Sequence, residues 1–100
     1  MDDQFPRIDP ERLIHEPARL AILVVLKAVE EADFLFLMDQ TNLTKGNLSS
    51  HSAKLEAAGY LEVEKMFVGK IPRTVYRLTD EGAEALQEYR EHMAGVLDSL

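Results

Sequence analysis

Hydrophobic residues in the first third of the chain recur at helical spacing. Apolar positions at i, i+3, i+4 and i+7 predict a helix that begins at Pro17 and runs to about Glu31. The core-facing stripe of this helix consists of Ala18, Ala21, Ile22, Val25, Leu26 and Val29. Leu20, Leu23 and Val24 lie off the stripe, and a helix that is apolar over most of its circumference is buried on two sides. We therefore predict that the second side contacts a partner subunit.

Two further helices are predicted around a short polar turn. Asp33 can cap the first of them, and Thr44 can cap the second. Gly59 is placed to end the second helix in the left-handed conformation. Two helices joined by three or four residues form a helix-turn-helix, which we predict over about residues 33–58.

After Gly59 the hydrophobic period changes from 3.6 to 2. Within residues 60–68 the side chains alternate apolar and charged over 61–65, and residues 73–78 alternate again, which is typical of strands. The segment between them, residues 69–72, contains a glycine, a lysine and a proline. The pattern therefore predicts a two-stranded hairpin, or wing, over about residues 60–78.

A last helix is predicted over about residues 80–98, with Thr79 or Asp80 as its cap. Its apolar residues follow a 3, 4, 3, 4 spacing, which is typical of a coiled-coil seam. The predicted dimer interface consists of apolar residues from this helix and from the second side of the first helix: Leu20, Leu23, Val24, Leu86, Tyr89, Met93, Val96, Leu97 and Leu100. Packing of the last helix onto its own domain is the alternative for the same pattern.

Together the elements predict one α+β domain over residues 1–100. It is a mainly α winged helix-turn-helix with a two-stranded β-hairpin wing and a C-terminal dimerisation helix. The chain has no cysteine, which excludes disulfides and thiolate zinc sites. An acidic N-terminus without a signal-peptide pattern, and a longest apolar run of only residues 20–26, predict a cytoplasmic protein with no membrane segment.

The formal net charge of −7 is unevenly distributed along the chain. Residues 1–41 carry four basic and nine acidic side chains, and residues 80–100 carry one basic and six acidic ones. Residues 42–79 reverse the balance, with six basic and three acidic side chains. A positive centre between acidic flanks suits a protein that contacts a nucleic acid with one surface only. Chance segregation of charges on a solvated surface is the alternative.

The sequence resembles the winged-helix regulators of the ArsR and MarR type over about residues 11–90. Residues 15–23 resemble the opening helix of these regulators. Residues 47–51 and 54–61 resemble their recognition helix and its exit into the wing, and residues 76–82 resemble the junction between the last strand and the last helix. The resemblance is strongest to minimal MarR-like proteins that have a DNA-binding domain and little else. Ser52 departs from the pattern, which usually has leucine there, so the core is expected to be looser or the helix slightly rotated.

The resemblance implies sequence-specific binding of double-stranded DNA by a homodimer that regulates transcription, with repression as the expected mode. By helical spacing, Leu48, His51 and Leu55 face inward. The predicted DNA-binding residues lie on the outward face of the recognition helix and on the wing: Thr44, Lys45, Gly46, Asn47, Ser49, Ser50, Lys54, Lys70 and Arg73. Asn47 can pair with adenine, whereas the lysines position the helix on phosphates.

The sequence argues against a metal site and against an enzyme, and it leaves two other functions open. The three histidines lie in different elements, so no metal site and no cofactor are predicted. Without a phosphate loop, a nucleophile motif or paired carboxylates, the protein is not expected to be an enzyme. A winged helix used for protein contacts without DNA binding is the alternative, because the chain has an acidic excess and apolar stripes. An apolar effector between subunits is a third hypothesis, but no specific polar anchor indicates which effector.

Overall fold

The computed structural model describes residues 10–100. The elements, in chain order, are α1 (Pro10–Ile14), α2 (Pro17–Val29), β1 (Glu31–Asp33), α3 (Phe34–Thr41), α4 (Lys45–Ala57), β2 (Leu61–Val68), β3 (Ile71–Leu78) and α5 (Asp80–Asp98). The predicted α+β winged helix-turn-helix fold is confirmed, with α4 in the place of the recognition helix. The acidic segment over residues 1–6, for which we predicted no signal peptide, lies outside the described residues.

Short side chains fix where three of the helices begin. The side-chain oxygens of Asp33, Thr44 and Thr79 accept the backbone N–H three residues further along, at 2.9, 3.1 and 3.0 Å. Each therefore satisfies one of the donors that the first turn of a helix leaves unpaired. Gly59 follows α4 with a φ of +84°, a left-handed conformation that glycine adopts without steric cost.

The sheet has three antiparallel strands in the order β1-β3-β2, one more than the predicted hairpin. The added strand is β1, whose Ala32 lies opposite Tyr76 of β3. Three residues are too few for a visible period, so β1 owes its conformation to pairing with β3. The first long helix consequently ends at Val29, before the predicted end at Glu31.

The tip of the wing is tighter than predicted. Val68 lies opposite Ile71, so the turn consists of Gly69 and Lys70 alone and not of residues 69–72. Pro72 belongs to β3 and lies opposite Phe67. Gly69 has a φ of +65° and Lys70 does not have a positive φ, which is the pattern of a type II′ hairpin turn.

Helix α2 is rotated relative to the predicted stripe. Ile22, Leu23 and Leu26 are fully buried, whereas Val29 is 41% exposed. The prediction that Leu23 contacts a partner subunit is therefore wrong, because Leu23 belongs to the core of its own chain. The two apolar sides of the helix are adjacent, so spacing alone did not decide between them.

The inner side of α4 consists of Leu48, Ser52 and Leu55, all buried. The Ser52 hydroxyl donates a hydrogen bond to the Leu48 carbonyl oxygen at 2.7 Å, which satisfies the buried oxygen within the helix. His51 was predicted to face inward and is half-buried at the edge, with its Nδ1 3.9 Å from a Glu16 carboxylate oxygen. A slight rotation of the helix thus places serine inside and moves histidine toward the rim.

Helix α5 packs on its own chain along its first half and leaves its end uncovered. Tyr89 is buried, and its hydroxyl lies 2.6 Å from Nδ1 of His15. Further along, Val96, Leu97 and Leu100 are exposed. Packing on its own domain, the alternative for this helix, therefore holds for its first part. The last two turns are exposed, and the dimer contact predicted for them stays a prediction.

Candidate nucleic-acid interface

The structure places all nine predicted DNA-binding residues at the surface. The seven on or before α4, from Thr44 to Lys54, are exposed, as are Lys70 and Arg73 of the wing. The exposed residues of α4 lie opposite its buried Leu48 and Leu55, so the helix is packed along one side only. This is the arrangement that a helix needs to enter the major groove.

A groove of about 580 Å³ runs between α4 and the wing. We call it the α4–wing groove. Lys45, Ser49 and Ala53 of α4 line its helical wall, and three apolar residues of α3 extend that wall: Phe34, Leu35 and Met38. Lys65, Pro72 and Thr74 line its wing wall. The residues predicted from the sequence include neither Lys65 nor Thr74, because only the strand register shows that these two residues lie opposite each other on the face toward α4.

The floor of the α4–wing groove is neutral. Ser52 and Tyr76 lie there, and both are buried. Burial raises the pKa of the Tyr76 hydroxyl, which therefore stays protonated. Glu56 contributes a carboxylate to the groove, but it lies eleven residues after Lys45, or about 16 Å along the helix axis. The basic end of the groove is consequently the end near the start of α4.

Cationic side chains of this surface differ in whether they have partners. Among the ion pairs of residues 10–100, none involves Lys45, Lys54, Lys65 or Lys70. Arg73, in contrast, has its Nε 3.6 Å from a carboxylate oxygen of Asp33. The four lysines are thus free to meet an anionic ligand, whereas Arg73 must first leave or share an intramolecular partner.

The opposite face of the sheet is acidic. Arg77 lies among three carboxylates, with its guanidinium nitrogens 2.7 Å from Glu31, 3.0 Å from Glu64 and 3.6 Å from Glu62. Hydrogen bonds to Glu31 and Glu64 raise the pKa of Arg77. Three carboxylates around one guanidinium group leave an excess of negative charge, so this face repels phosphate. An anionic ligand is therefore directed to the face with Lys65 and to the tip with Lys70.

The wing also carries an apolar surface that sequence reasoning missed. Phe67, Val68 and Ile71 are 71%, 55% and 70% exposed, on both sides of the turn. A signal was present in the sequence, because Met66, Phe67 and Val68 are consecutive apolar residues in a strand that otherwise alternates. Consecutive strand residues point to opposite faces, so one face must present some of them to solvent.

A family model for the winged helix DNA-binding domain matches residues 18–97, which include α3, the turn, α4 and the wing. The chain belongs to this family. It is a DNA-binding regulator by family and fold, a class that is not enzymatic. The predicted resemblance to winged-helix regulators is thereby confirmed.

Comparisons by sequence and by structure find proteins similar to this winged helix domain. The uncharacterized protein MJ0432 of Methanocaldococcus jannaschii is 32% identical over 78 residues, which cover 78% of this chain and 85% of that protein. The transcriptional regulator homologue of Pyrococcus horikoshii OT3 is 32% identical with a TM-score of 0.82, and the match covers 88% of this chain and 87% of that one. A MarR family regulator from Silicibacter pomeroyi has the same fold at 22% identity and a TM-score of 0.68, over 88% of this chain and 58% of its own.

The described residues form neither a metal site nor a membrane-spanning helix. Within residues 10–100, no group of three or more histidine, aspartate or glutamate side chains could hold a metal ion. None of the described helices combines the length and the apolar character that crossing a membrane requires.

Proposed function

We propose that the protein binds specific sites in duplex DNA as a homodimer and represses transcription in the cytoplasm. The α4–wing groove, with its unpaired lysines, is the observation that carries the proposal. Helix α4 lies in the major groove, and the wing reaches across one sugar-phosphate strand toward the adjacent minor groove. Occupation of an operator excludes other proteins from the same duplex, which makes repression the simplest mode.

The α4–wing groove has the chemistry to hold the sugar-phosphate strand. Lys45 and Lys65 lie on opposite walls and supply a positive charge from each side. Ser49 and Thr74 supply hydroxyl groups between them. Contacts of this kind fix the register of a protein on DNA without reading the sequence. In this proposal sequence is read by the outermost positions of α4, with Asn47 as the residue that pairs with adenine.

The start of α4 adds a second reason to place phosphate there. Thr44 caps the helix through the N–H of Asn47, and the N–H groups of Lys45 and Gly46 belong to the first turn, which has no intrahelical acceptors for them. The helix dipole makes this end positive. Gly46 has no atom within 4 Å of the position that a Cβ would occupy. The backbone can therefore approach a ligand closely at this residue.

Gly46→Ala is expected to separate stability from binding. Alanine favours a helix over glycine, and the added methyl group meets open space, so the free energy of unfolding should rise by about 0.5 kcal/mol. DNA affinity should fall by about fivefold, because the methyl group overlaps the closely approaching duplex at a cost of roughly 1 kcal/mol. Urea unfolding and fluorescence anisotropy measure the two quantities. A variant that is more stable and binds DNA unchanged would place the DNA elsewhere.

A second copy of the chain is proposed to occupy an apolar groove between α2 and α5. The groove measures about 460 Å³, and we call it the α2–α5 groove. Its apolar lining comes from Leu20 and Val24 of α2 and from Leu86, Tyr89, Met93 and Leu97 of α5. Val24 and Leu97 are more than half exposed in the isolated chain. All of these belong to the predicted dimer interface, and a two-fold axis here would present two copies of α4 to successive turns of one DNA face.

The salt dependence of DNA binding tests the proposal. Lys45→Ala and Lys70→Ala should each reduce the slope of log K against log salt by about 1.8, because each removes one phosphate contact from both subunits at about 0.9 per contact. The measurement is anisotropy of a labelled 30-base-pair mixed-sequence duplex between 50 and 200 mM salt. Arg12→Ala removes an exposed cation from α1 and is the matched control, with an unchanged slope expected.

Two outcomes would overturn the proposed function. Wild-type protein that binds no duplex at 50 mM salt would favour the alternative of a winged helix used for protein contacts, since an apolar interface weakens little with salt. Binding whose slope changes equally in the lysine variants and in Arg12→Ala would mean that α4 and the wing are not the contact surface.

A further inference from the structure

The tip of the wing is apolar, although nothing in the fold requires it. We call this surface the wing tip and define it by Phe67, Val68, Ile71 and Pro72. Phe67 lies opposite Pro72, and Val68 lies opposite Ile71, directly before the two-residue turn. All four side chains are exposed. Exposed apolar side chains at the end of a hairpin promote aggregation, so we expect a ligand to cover them.

The wing tip extends beyond the core that holds the base of the hairpin. Val63 and Tyr76 form the last pair on the inner face that packs against the core. Phe67 lies four residues beyond Val63, or about 13 Å further along the strand. Phe67, Val68 and Ile71 are all more than half exposed, so their side chains are free to enter another molecule.

Charge at the wing tip indicates an anionic partner. Every charged residue from position 65 to 73 is basic: Lys65, Lys70 and Arg73. Arg73 contacts Asp33, so the two lysines are the cations available to a ligand. Lys65 and Pro72 also line the α4–wing groove, so the apolar tip is continuous with the surface proposed to hold a sugar-phosphate strand. The same ligand that lies in the groove therefore reaches the tip.

We propose that the wing tip is a minor-groove wedge that bends DNA, with Phe67 pressed against or between base pairs and Lys65 and Lys70 on the flanking phosphates. The inference rests on the proposed function. Two paired strands are about 4.8 Å apart before side chains are added, whereas the minor groove is only about 6 Å wide. The tip can enter only by widening the groove. Apolar side chains that enter in this way unstack base steps and bend the duplex by about 20 to 90°.

Phe67 is the residue best placed to act as the wedge. It lies on the face of the sheet that carries Lys65 and Thr74, two residues that line the α4–wing groove. Pro72 lies opposite it in β3. The proline ring fixes its own backbone dihedral φ, which limits the freedom of the strand paired with the one that carries Phe67. A planar ring can stack on any base, so the contact adds affinity and bending without a strong sequence requirement.

Energy transfer between dyes on the two ends of a 30-base-pair duplex tests the wedge. Saturating wild-type protein should raise the transfer efficiency, and Phe67→Ala at saturation should leave the duplex straight. Phe67→Ala should also lower the affinity by about tenfold, through loss of base stacking, while the salt slope remains that of wild type. Val29→Ala is the matched control, because Val29 is an exposed apolar residue of α2 away from the wing, and it should bend DNA like wild type.

The outcomes separate the wedge from the proposed function. DNA that is bound with the expected salt slope but stays straight, or that Phe67→Ala bends as much as wild type does, would overturn the wedge alone. Absence of any duplex binding would overturn the proposed function and the wedge together. Wild-type protein that pelleted with anionic vesicles and lost this property in Phe67→Ala, without bending DNA, would assign the tip to a membrane surface. Phe67-dependent self-association in light scattering, again without bending, would assign it to a second copy.

Discussion

Replacing Gly82 by alanine is expected to lower the free energy of unfolding by about 2 to 3 kcal/mol. Gly82 lies in the first turn of α5, where the helix packs against the backbone of Tyr60, between α4 and β2. A Cβ at this position would overlap the carbonyl oxygen of Tyr60 and lie 2.8 Å from Cδ1 of Leu78. The carbonyl cannot turn away without cost, because it accepts the N–H of Thr79 at 3.1 Å. Urea unfolding followed by circular dichroism, at one fixed protein concentration, measures the change.

The matched control for this substitution is Gly95→Ala. Gly95 lies in the same helix, and nothing lies within 4 Å of the position of its Cβ. Alanine there should leave stability unchanged or raise it by up to about 1 kcal/mol, because glycine is the poorer helix former. Equal unfolding midpoints for the two variants would contradict the close packing of α5 against Tyr60.

Features governed by neighbouring residues were predictable from the sequence. Asp33, Thr44 and Thr79 cap helices because a short oxygen-bearing side chain reaches the N–H three residues further along, whatever the rest of the fold does. Gly59 ends α4 for an equally local reason. The exposed set on α4 follows from the helical period once the buried side is known. These are the features on which the candidate interface is built.

Features that depend on distant parts of the chain were not predictable. Strand β1 forms only because β3 offers it a partner 44 residues away, as the pairing of Ala32 with Tyr76 shows. Leu23 is buried because other elements cover that side of α2, and apolar spacing alone indicated two suitable sides. Ser52 occupies a core position although it is polar, because its own helix accepts its hydroxyl hydrogen bond.

The charges of the candidate site were likewise predictable only in part. A basic centre between acidic flanks was visible in the sequence, but the separation of the two sheet faces was not. Lys65 and Arg77 are both cations on strands. Strand register places Lys65 in the α4–wing groove and Arg77 among Glu31, Glu62 and Glu64. The surface proposed to bind phosphate thus lies back to back with an acidic one, and in the proposed complex this difference would orient the wing on DNA.

Leu97→Glu is expected to convert the protein to a monomer and to reduce DNA affinity at least about 100-fold. Leu97 is 58% exposed and lines the α2–α5 groove, so the isolated chain should tolerate the change. In the proposed dimer, two copies of the glutamate would be buried in a largely apolar contact. Lys27 and Arg90 also line the groove, but both are exposed and would offset only part of the cost of desolvating two carboxylates. In a monomer the two recognition helices are no longer linked. The protein then loses the gain in DNA affinity that linkage provides, which is about 10² to 10⁴. Light scattering measures the mass, and anisotropy measures the affinity.

The control is Val29→Glu, which adds the same charge to an exposed apolar position of α2 that does not line the α2–α5 groove. It should remain a dimer and retain DNA affinity to within a few fold, since a single added carboxylate away from both interfaces changes only the overall field. If Leu97→Glu stayed dimeric, the second copy would occupy another surface. If it were monomeric and still bound DNA as tightly as wild type, one α4 and one wing would suffice for recognition, and the wing tip would then contribute more of the affinity than a linked second subunit.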